Sequence, residues 1–262
     1  MVNMVKAELI RMVKSRSFWI AVLVFIAVFG LCIFVQEQTQ ANSQFDVSQD
    51  SAQIGLYIAV DSYLFSLNSL VISFGATFGM LVLGIYLSSF IGQEYSSGYI
   101  KHTVSLPNGR VHVLLAKIIV ASLLSVFILC ISYLTAFILG TIFIQHFHLE
   151  PFSVIAATFF YLWLLITATF SLIICITTLF KNKVSGIILL FLLSSGALLP
   201  LIEMILDLVH LKDLAMYTLS YQYATMLLFD PEQIAVSNLL VFLSATAIYA
   251  LFSLAILKKR DF

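Results

Sequence analysis

Six long apolar runs dominate this chain and leave few ways for it to fold: Phe18–Val35, Leu64–Ile91, Ile118–Ile144, Val154–Phe180, Gly186–Leu206 and Leu239–Leu257. A helix that crosses a bilayer needs about 20 predominantly apolar residues, and each run is long enough. Only 10% of the 262 residues are charged, against roughly 25% in soluble domains. So little charge cannot cover a water-facing surface, and an all-α integral membrane protein is expected. The fifth run is broken by Gly196 and Pro200 and has Glu203 near its end, which predicts a kinked or interrupted helix. The first run is too long for a secretion signal of roughly 7–15 apolar residues, and no small-residue cleavage pattern follows it. It is expected to stay as an anchor.

The zero net charge conceals a strong polarity. With a cytoplasmic N-terminus and six alternating spans, Lys6, Arg11, Lys14, Arg16, Lys101, Arg110, Lys117, Lys181, Lys183, Lys258, Lys259 and Arg260 fall inside, and Lys212 alone falls outside. Glu8, Glu94 and Asp261 are the inner acids, so the inner face carries 12 − 3 = +9. The Lys/Arg bias sets membrane orientation, and here it predicts that both termini are cytoplasmic.

Ahead of the first span, residues 3–17 have an amphipathic pattern. Val5, Leu9, Met12 and Val13 form one stripe, flanked or opposed by Lys6, Arg11 and Lys14. An interfacial helix on the anionic inner leaflet is expected, the plainer alternative being a charged flank of the anchor. Outside, residues 36–63 form a polar loop, and 207–238 form a long, acidic, partly apolar segment read as an outer helical hairpin.

Catalytic signatures are missing from the sequence. It contains no G-x-x-x-x-G-K-[ST] phosphate loop, no H-E-x-x-H and no Cys/His cluster with zinc spacing. His146, His148 and Glu150 could share one side of an extended segment, though an ordinary polar rim is the simpler reading. Cys32, Cys130 and Cys175 lie in three separate apolar runs and read as small hydrophobes rather than a disulfide framework. Apart from Asp61 and Glu203 near span ends, the runs hold no ionisable side chain. Proton- or ion-coupled pumps keep such residues in the membrane, so the driving force is expected to come from outside the chain. Gly75 and Gly79, four apart in the second run, permit a close helix–helix contact, either within the chain or at a dimer face. Asn68, Ser69 and Ser73 are candidates for lining a pathway or for bonding to backbone carbonyls.

The remaining inner loop of any size is "GQEYSSGYIKHTVSLPNGRVHVLLAK", residues 92–117. Glu94 stands four residues before Gly98; then come a hydroxyl-rich stretch, Leu106-Pro107, Arg110, and Lys117 at the opening of the third span. In this pattern the chain resembles the permeases of type-2 ATP-binding-cassette (ABC-2) exporters, with Tyr99 where that family often has Thr. The resemblance extends to the interfacial N-terminal helix, the six spans and the short basic C-terminus.

The resemblance implies a single ABC-2-type transmembrane domain over residues 1–262, with a cytoplasmic coupling helix from about Gly92 to Ser105. That helix would dock on a separate ABC ATPase, present in two copies beside a second permease chain, identical or different. Glu94, Tyr95, Gly98, Tyr99, Lys101 and Arg110 would be the coupling residues. ATP and Mg would be bound by the partner, with no cofactor on this chain and no nucleic-acid role. The setting implied is a bacterial plasma membrane. The cargo implied is amphipathic or hydrophobic, such as a peptide antibiotic, bacteriocin or peptide toxin, with multidrug or sodium efflux as the alternative. A multipass enzyme would need convergent polar residues at one depth, which the runs lack. A non-transporting sensor or assembly subunit would need no ATPase whose turnover follows cargo.

Overall fold

The computed structural model describes residues 2–43, 66–99, 109–144, 147–208, 212–225 and 236–259, and within them the chain is helical, with one isolated bridge between Ser66 and His148. Helix α1 (Val2–Lys14) meets α2 (Arg16–Ser43) at Ser15. There the N–H of Phe18 donates to the Ser15 carbonyl (3.1 Å) and the Trp19 indole to the Val13 carbonyl (2.9 Å), tying off the end of α1. Helix α3 covers Leu67–Ser96, α4 Gly109–Phe143 and α5 Phe152–Phe180. Helices α6 (Lys183–Ser194) and α7 (Leu198–Leu208) follow, then a 3₁₀ turn at Lys212–Tyr217, α8 (Leu219–Ala224) and α9 (Val236–Lys259).

Five helices are long and apolar enough to cross a membrane, and the bent pair α6–α7 makes up to six. Several sequence-based boundaries shift. The expected outer loop from residue 36 begins as helix, because α2 runs on to Ser43; residues 44–63 lie outside the described residues. The expected inner loop 92–117 is shorter, because α3 continues to Ser96 and α4 starts at Gly109. Lys117 therefore sits two turns inside a helix. A cation there marks no boundary, since Glu94 and Glu8 neutralise it. The expected fifth span is two helices at 85°, separated at Gly196 (φ +71°), a backbone that glycine adopts without a Cβ clash. Within residues 207–238, the expected outer hairpin, the described residues show the 3₁₀ turn and α8; residues 209–211 and 226–235 lie outside them.

Contacts along the helices fix their directions. Phe25 and Phe29 on α2 pack where Gly79 and Gly75 leave room on α3, so these two helices are antiparallel. On α5 and α9, Tyr161 meets Phe242 edge-on at 5.2 Å, and further along both, Cys175 lies beside Ser253 and Tyr249. Those two helices are parallel. The chain between them must recross the bundle, and α6, α7 and α8 together make that return, closed by Gln222 on α8 against Asn238 of α9 (3.4 Å).

Packing explains why these apolar helices associate at all. Lipid tails supply little hydrophobic drive, so close approach through small residues and bonded hydroxyls carries the contact. A Cβ on Gly79 would fall 2.6 Å from Ile128 Cγ2 of α4, and one on Gly75 would fall 2.9 Å from Ser132 Cβ. Both glycines are occupied by contacts within the chain. Ser125 and Thr167 bond across α4 and α5 at 2.8 Å, and Ser88 of α3 donates to the Lys183 carbonyl of α6 at 2.7 Å. Cys32, Cys130 and Cys175 are free, with Cys175 buried and Cys130 exposed on the apolar outside.

Candidate functional site at the base of α3

At the C-terminal end of α3 an otherwise apolar fold takes charge inside. The Glu94 side chain is only 3% exposed. Arg11 Nη2 donates to one of its carboxylate oxygens and Lys117 Nζ to the other. Arg11 Nη2 also donates to Glu8 at 2.7 Å, and Lys117 Nζ lies 3.9 Å from the second Glu8 oxygen. Two acids and two bases thus close a neutral ring that joins α1, α3 and α4. A buried ion pair offsets its desolvation only where geometry is good and further bonds satisfy each group, and this ring gives each acid two cationic neighbours.

Aromatic groups hold Arg11 in place. Its guanidinium carbon lies 4.2 Å from the centroid of Phe90 and 4.7 Å from that of Tyr99, two cation–π contacts. Phe90 is one turn before Glu94 on α3, so helical spacing places ring and carboxylate on one face. The Tyr86 hydroxyl donates to the Met12 carbonyl at 3.4 Å, a further tie between α3 and α1.

The ring also corrects the orientation expected for α1. Its buried residues are Glu8 and Met12, with Val5 and Leu9 half-buried against the core, while Val13 is 45% exposed. The inward stripe of α1 therefore faces the protein. Helical geometry puts Glu8 and Met12 on one side, and pairing with Arg11 and Lys117 makes burial of Glu8 tolerable. Lys6 and Lys14 stay exposed.

Of the coupling residues expected from sequence, Glu94 and Tyr99 are brought together, and Arg11 from the surface-helix set joins them. Tyr95 packs against the core. Arg110 lies half-buried in the first turn of α4, and Lys101 lies outside the described residues. Of the expected coupling helix, residues 92–96 belong to α3 and residues 100–108 lie outside the described residues. Sequence reasoning misses Glu8 and Phe90. Glu8 offers one signal, an acid within an otherwise cationic amphipathic segment.

Gly98 ends α3. Its N–H donates to the Tyr95 carbonyl (3.4 Å), and it adopts φ +73° with nothing within 4 Å of where a Cβ would stand. Left-handed glycine is the common way to stop a helix and redirect the chain. Gly98→Ala should therefore cost about 1–2 kcal/mol through backbone strain alone. Thermal unfolding in detergent would show it, and Gly98→Asn should lose less.

An open cleft of about 510 Å³ lies beside the ring, walled by Arg11, Phe90 and Tyr99 and rimmed by Gln93, Ser96 and Ser97. Among the described residues no group of His, Cys, Asp or Glu could hold a metal. His148 offers its backbone carbonyl to Leu67 N–H (3.2 Å), and the Glu150 carboxylate accepts from Asn68 N–H (3.2 Å), so these polar residues pin the N-terminal end of α3. Asn68 is 1% exposed and accepts from the Tyr133 hydroxyl at 2.8 Å, and the Ser69 hydroxyl donates to the Ser66 carbonyl at 2.9 Å.

Comparison with known families agrees with this architecture. The family model described as ABC-2 family transporter protein matches residues 4–196, from α1 through the break after α6. A search among curated proteins finds no match. The match takes in more than half of the chain, including every residue of the charged ring and both helices of the α3–α6 seam, and with the apolar helices it places the chain in a multi-pass membrane setting that implies an ABC ATPase partner. The chain belongs to the ABC-2 family of transporter proteins, as a membrane-spanning permease subunit of an ABC transporter.

Proposed function

We propose that this chain is the permease of an ATP-driven exporter that moves an amphipathic or hydrophobic cargo, a peptide antibiotic, bacteriocin or peptide toxin, out of the cell or its membrane. Its ATPase is a separate subunit in two copies, paired with a second permease chain. Both termini are cytoplasmic, and the base of α3 faces the ATPases. The observation that carries this reading is the buried ring: Glu94 ties α1, α3 and α4 into one lever just before the segment that follows Gly98. Force delivered to residues 97–108 would move three helices together, because separating them exposes unpaired charge. Glu94 then works from inside, by transmitting force, while Tyr99, Lys101 and Arg110 meet the ATPase. The cleft beside Arg11 receives a protruding element of that subunit.

The expected result is that the chain co-purifies with an ATPase and that bacitracin or a lantibiotic raises ATP turnover of the complex in lipid. Neutralising Lys101 should lower that stimulation several-fold while leaving assembly of the permease intact. Transport by the purified chain alone on a sodium or proton gradient would refute the reading. Turnover that rises with a broad set of drugs but not with peptides would favour the multidrug alternative.

A further inference from the structure

Helix α3 is not uniform along its length. Residues Val71–Ala76 form a π-helical turn between the Leu67–Leu70 turn and the regular helix Thr77–Ser96. A π turn pairs each carbonyl with the N–H five residues on rather than four, so it stores a spare residue. Such turns are rare and lie frequently at functional sites. Thr77 reinforces this register, because its hydroxyl donates to the Ile72 carbonyl, five residues back, at 3.3 Å.

The helix is held on both sides of the turn. On the N-terminal side, Leu67 and Asn68 donate their N–H groups to the His148 carbonyl and the Glu150 carboxylate. On the C-terminal side, Gly92 packs on the Lys183 backbone, and Arg11 and Lys117 clasp Glu94. A helix fixed at both ends can bend or turn only where it has slack, and a π turn is one of the few places where helices kink. Gly75 lies within the turn and Gly79 just beyond it; neither has a Cβ to jam against Ser132 or Ile128 of α4.

Two buried polar atoms flank the turn without a hydrogen-bond partner among the described residues, Asn68 Nδ2 and the Tyr223 hydroxyl. Asn68 is 1% exposed and Tyr223, on α8, 8%. Buried polar groups are rarely left unpaired, and each exception needs a reason. The Tyr223 hydroxyl lies beside Thr77, the residue whose hydroxyl fixes the π register. Thr77 therefore has a second partner close at hand, on a different helix.

Resting on the exporter reading, we propose that the π turn is the hinge of α3 during transport. The clasped base swings with α1 and α4, and the spare residue at 71–76 absorbs the movement while the N-terminal end stays on His148 and Glu150. Thr77 then exchanges the Ile72 carbonyl for the Tyr223 hydroxyl, which makes Tyr223 a positioning residue that ties α8 to the second state.

Deleting Ser73 tests the hinge, since it removes the spare residue and lets α-helix run through while both flanks keep their faces. The full-length variant is compared with the wild type, in nanodiscs with its ATPase. It should unfold at or above the wild-type temperature, its amides at 71–77 should exchange hydrogen several-fold more slowly, and bacitracin-stimulated turnover should fall to the basal rate. Deleting Leu81 instead, inside the regular helix, rotates one flank away from its partners and should abolish folding. Tyr223→Phe loses no bond in the state described, so its unfolding temperature should hold, whereas stimulated turnover should drop about fivefold, the weight of one hydrogen bond. A Ser73 deletion that fails to fold, unchanged exchange at 71–77, or wild-type stimulation in either the Ser73 deletion or Tyr223→Phe would each overturn the proposal. Turnover that no peptide raises in the wild type would overturn the exporter reading instead. The unfolding and exchange measurements need no ATPase and would then decide the turn alone.

Discussion

Glu94→Ala is expected to lower the stability of the permease by about 3–5 kcal/mol, the scale at which removing one partner strands a buried charge. Two cations, Arg11 and Lys117, lose their shared acceptor, and the Lys117 side chain is only 7% exposed. Glu8 alone cannot replace it, since it lies 3.9 Å from Lys117. Folded yield and unfolding temperature in detergent are the readouts. The compensating variant is Glu94→Leu with Lys117→Leu, which removes one charge of each sign and leaves Arg11 paired with Glu8 at 2.7 Å. Replacing a buried pair with apolar side chains of similar size is often neutral or stabilising, so the double variant should recover most of the loss. Equal stability of Glu94→Ala and wild type, or a double variant worse than either single one, would show that the ring does not hold α1, α3 and α4 together. The double variant also separates fold from coupling: a stable permease that no longer stimulates its ATPase would place Glu94 in force transmission.

Gly92→Leu has the second largest expected effect. A Cβ at Gly92 would stand 2.6 Å from Lys183 Cβ and 3.0 Å from its Cα and N, so the obstacle is backbone. Backbone cannot swing aside as a side-chain tip can. Overpacking costs typically about 1–3 kcal/mol, and a leucine at this seam should reach or pass the upper end. That corresponds to an unfolding temperature lower by roughly 2–4 °C for each kcal/mol in a chain of this size. The seam also carries the Ser88 bond to the Lys183 carbonyl, which should be lost as α6 is pushed off α3. Gly98, six residues along the same motif, behaves differently: it has open space and an unusual φ, so its replacement strains the chain without a clash. An unchanged unfolding temperature for Gly92→Leu would mean that α3 and α6 are not in register as described.

The sequence motif around residues 92–117 and the buried ring are linked but not equivalent. Spacing places Glu94 four residues before Gly98, and the structure gives each a separate task, an internal clasp and a helix stop. Reading Lys117 as the start of a span follows from its charge, since lysine avoids lipid. What the charge cannot reveal is that Glu94 lies opposite it, 23 positions earlier in sequence, and so allows the helix to begin at Gly109. Arg11 reads as facing the membrane surface for a similar reason. An amphipathic stripe shows which residues avoid water but not whether they meet lipid or protein.

Helical structure, a membrane setting and a fifth apolar run that cannot be one straight helix are all legible in the residue order. These follow from local physics: lipid accepts only backbone that satisfies its own hydrogen bonds, and Gly196 with Pro200 interrupts that pattern at one place. Three-dimensional packing alone settles which charges meet, which glycines are clash-limited, and that α5 and α9 run parallel with a broken return between them. Those outcomes depend on distances between residues far apart in the chain. Ion pairing and close packing act only at contact, and apolar periodicity carries no record of the partner.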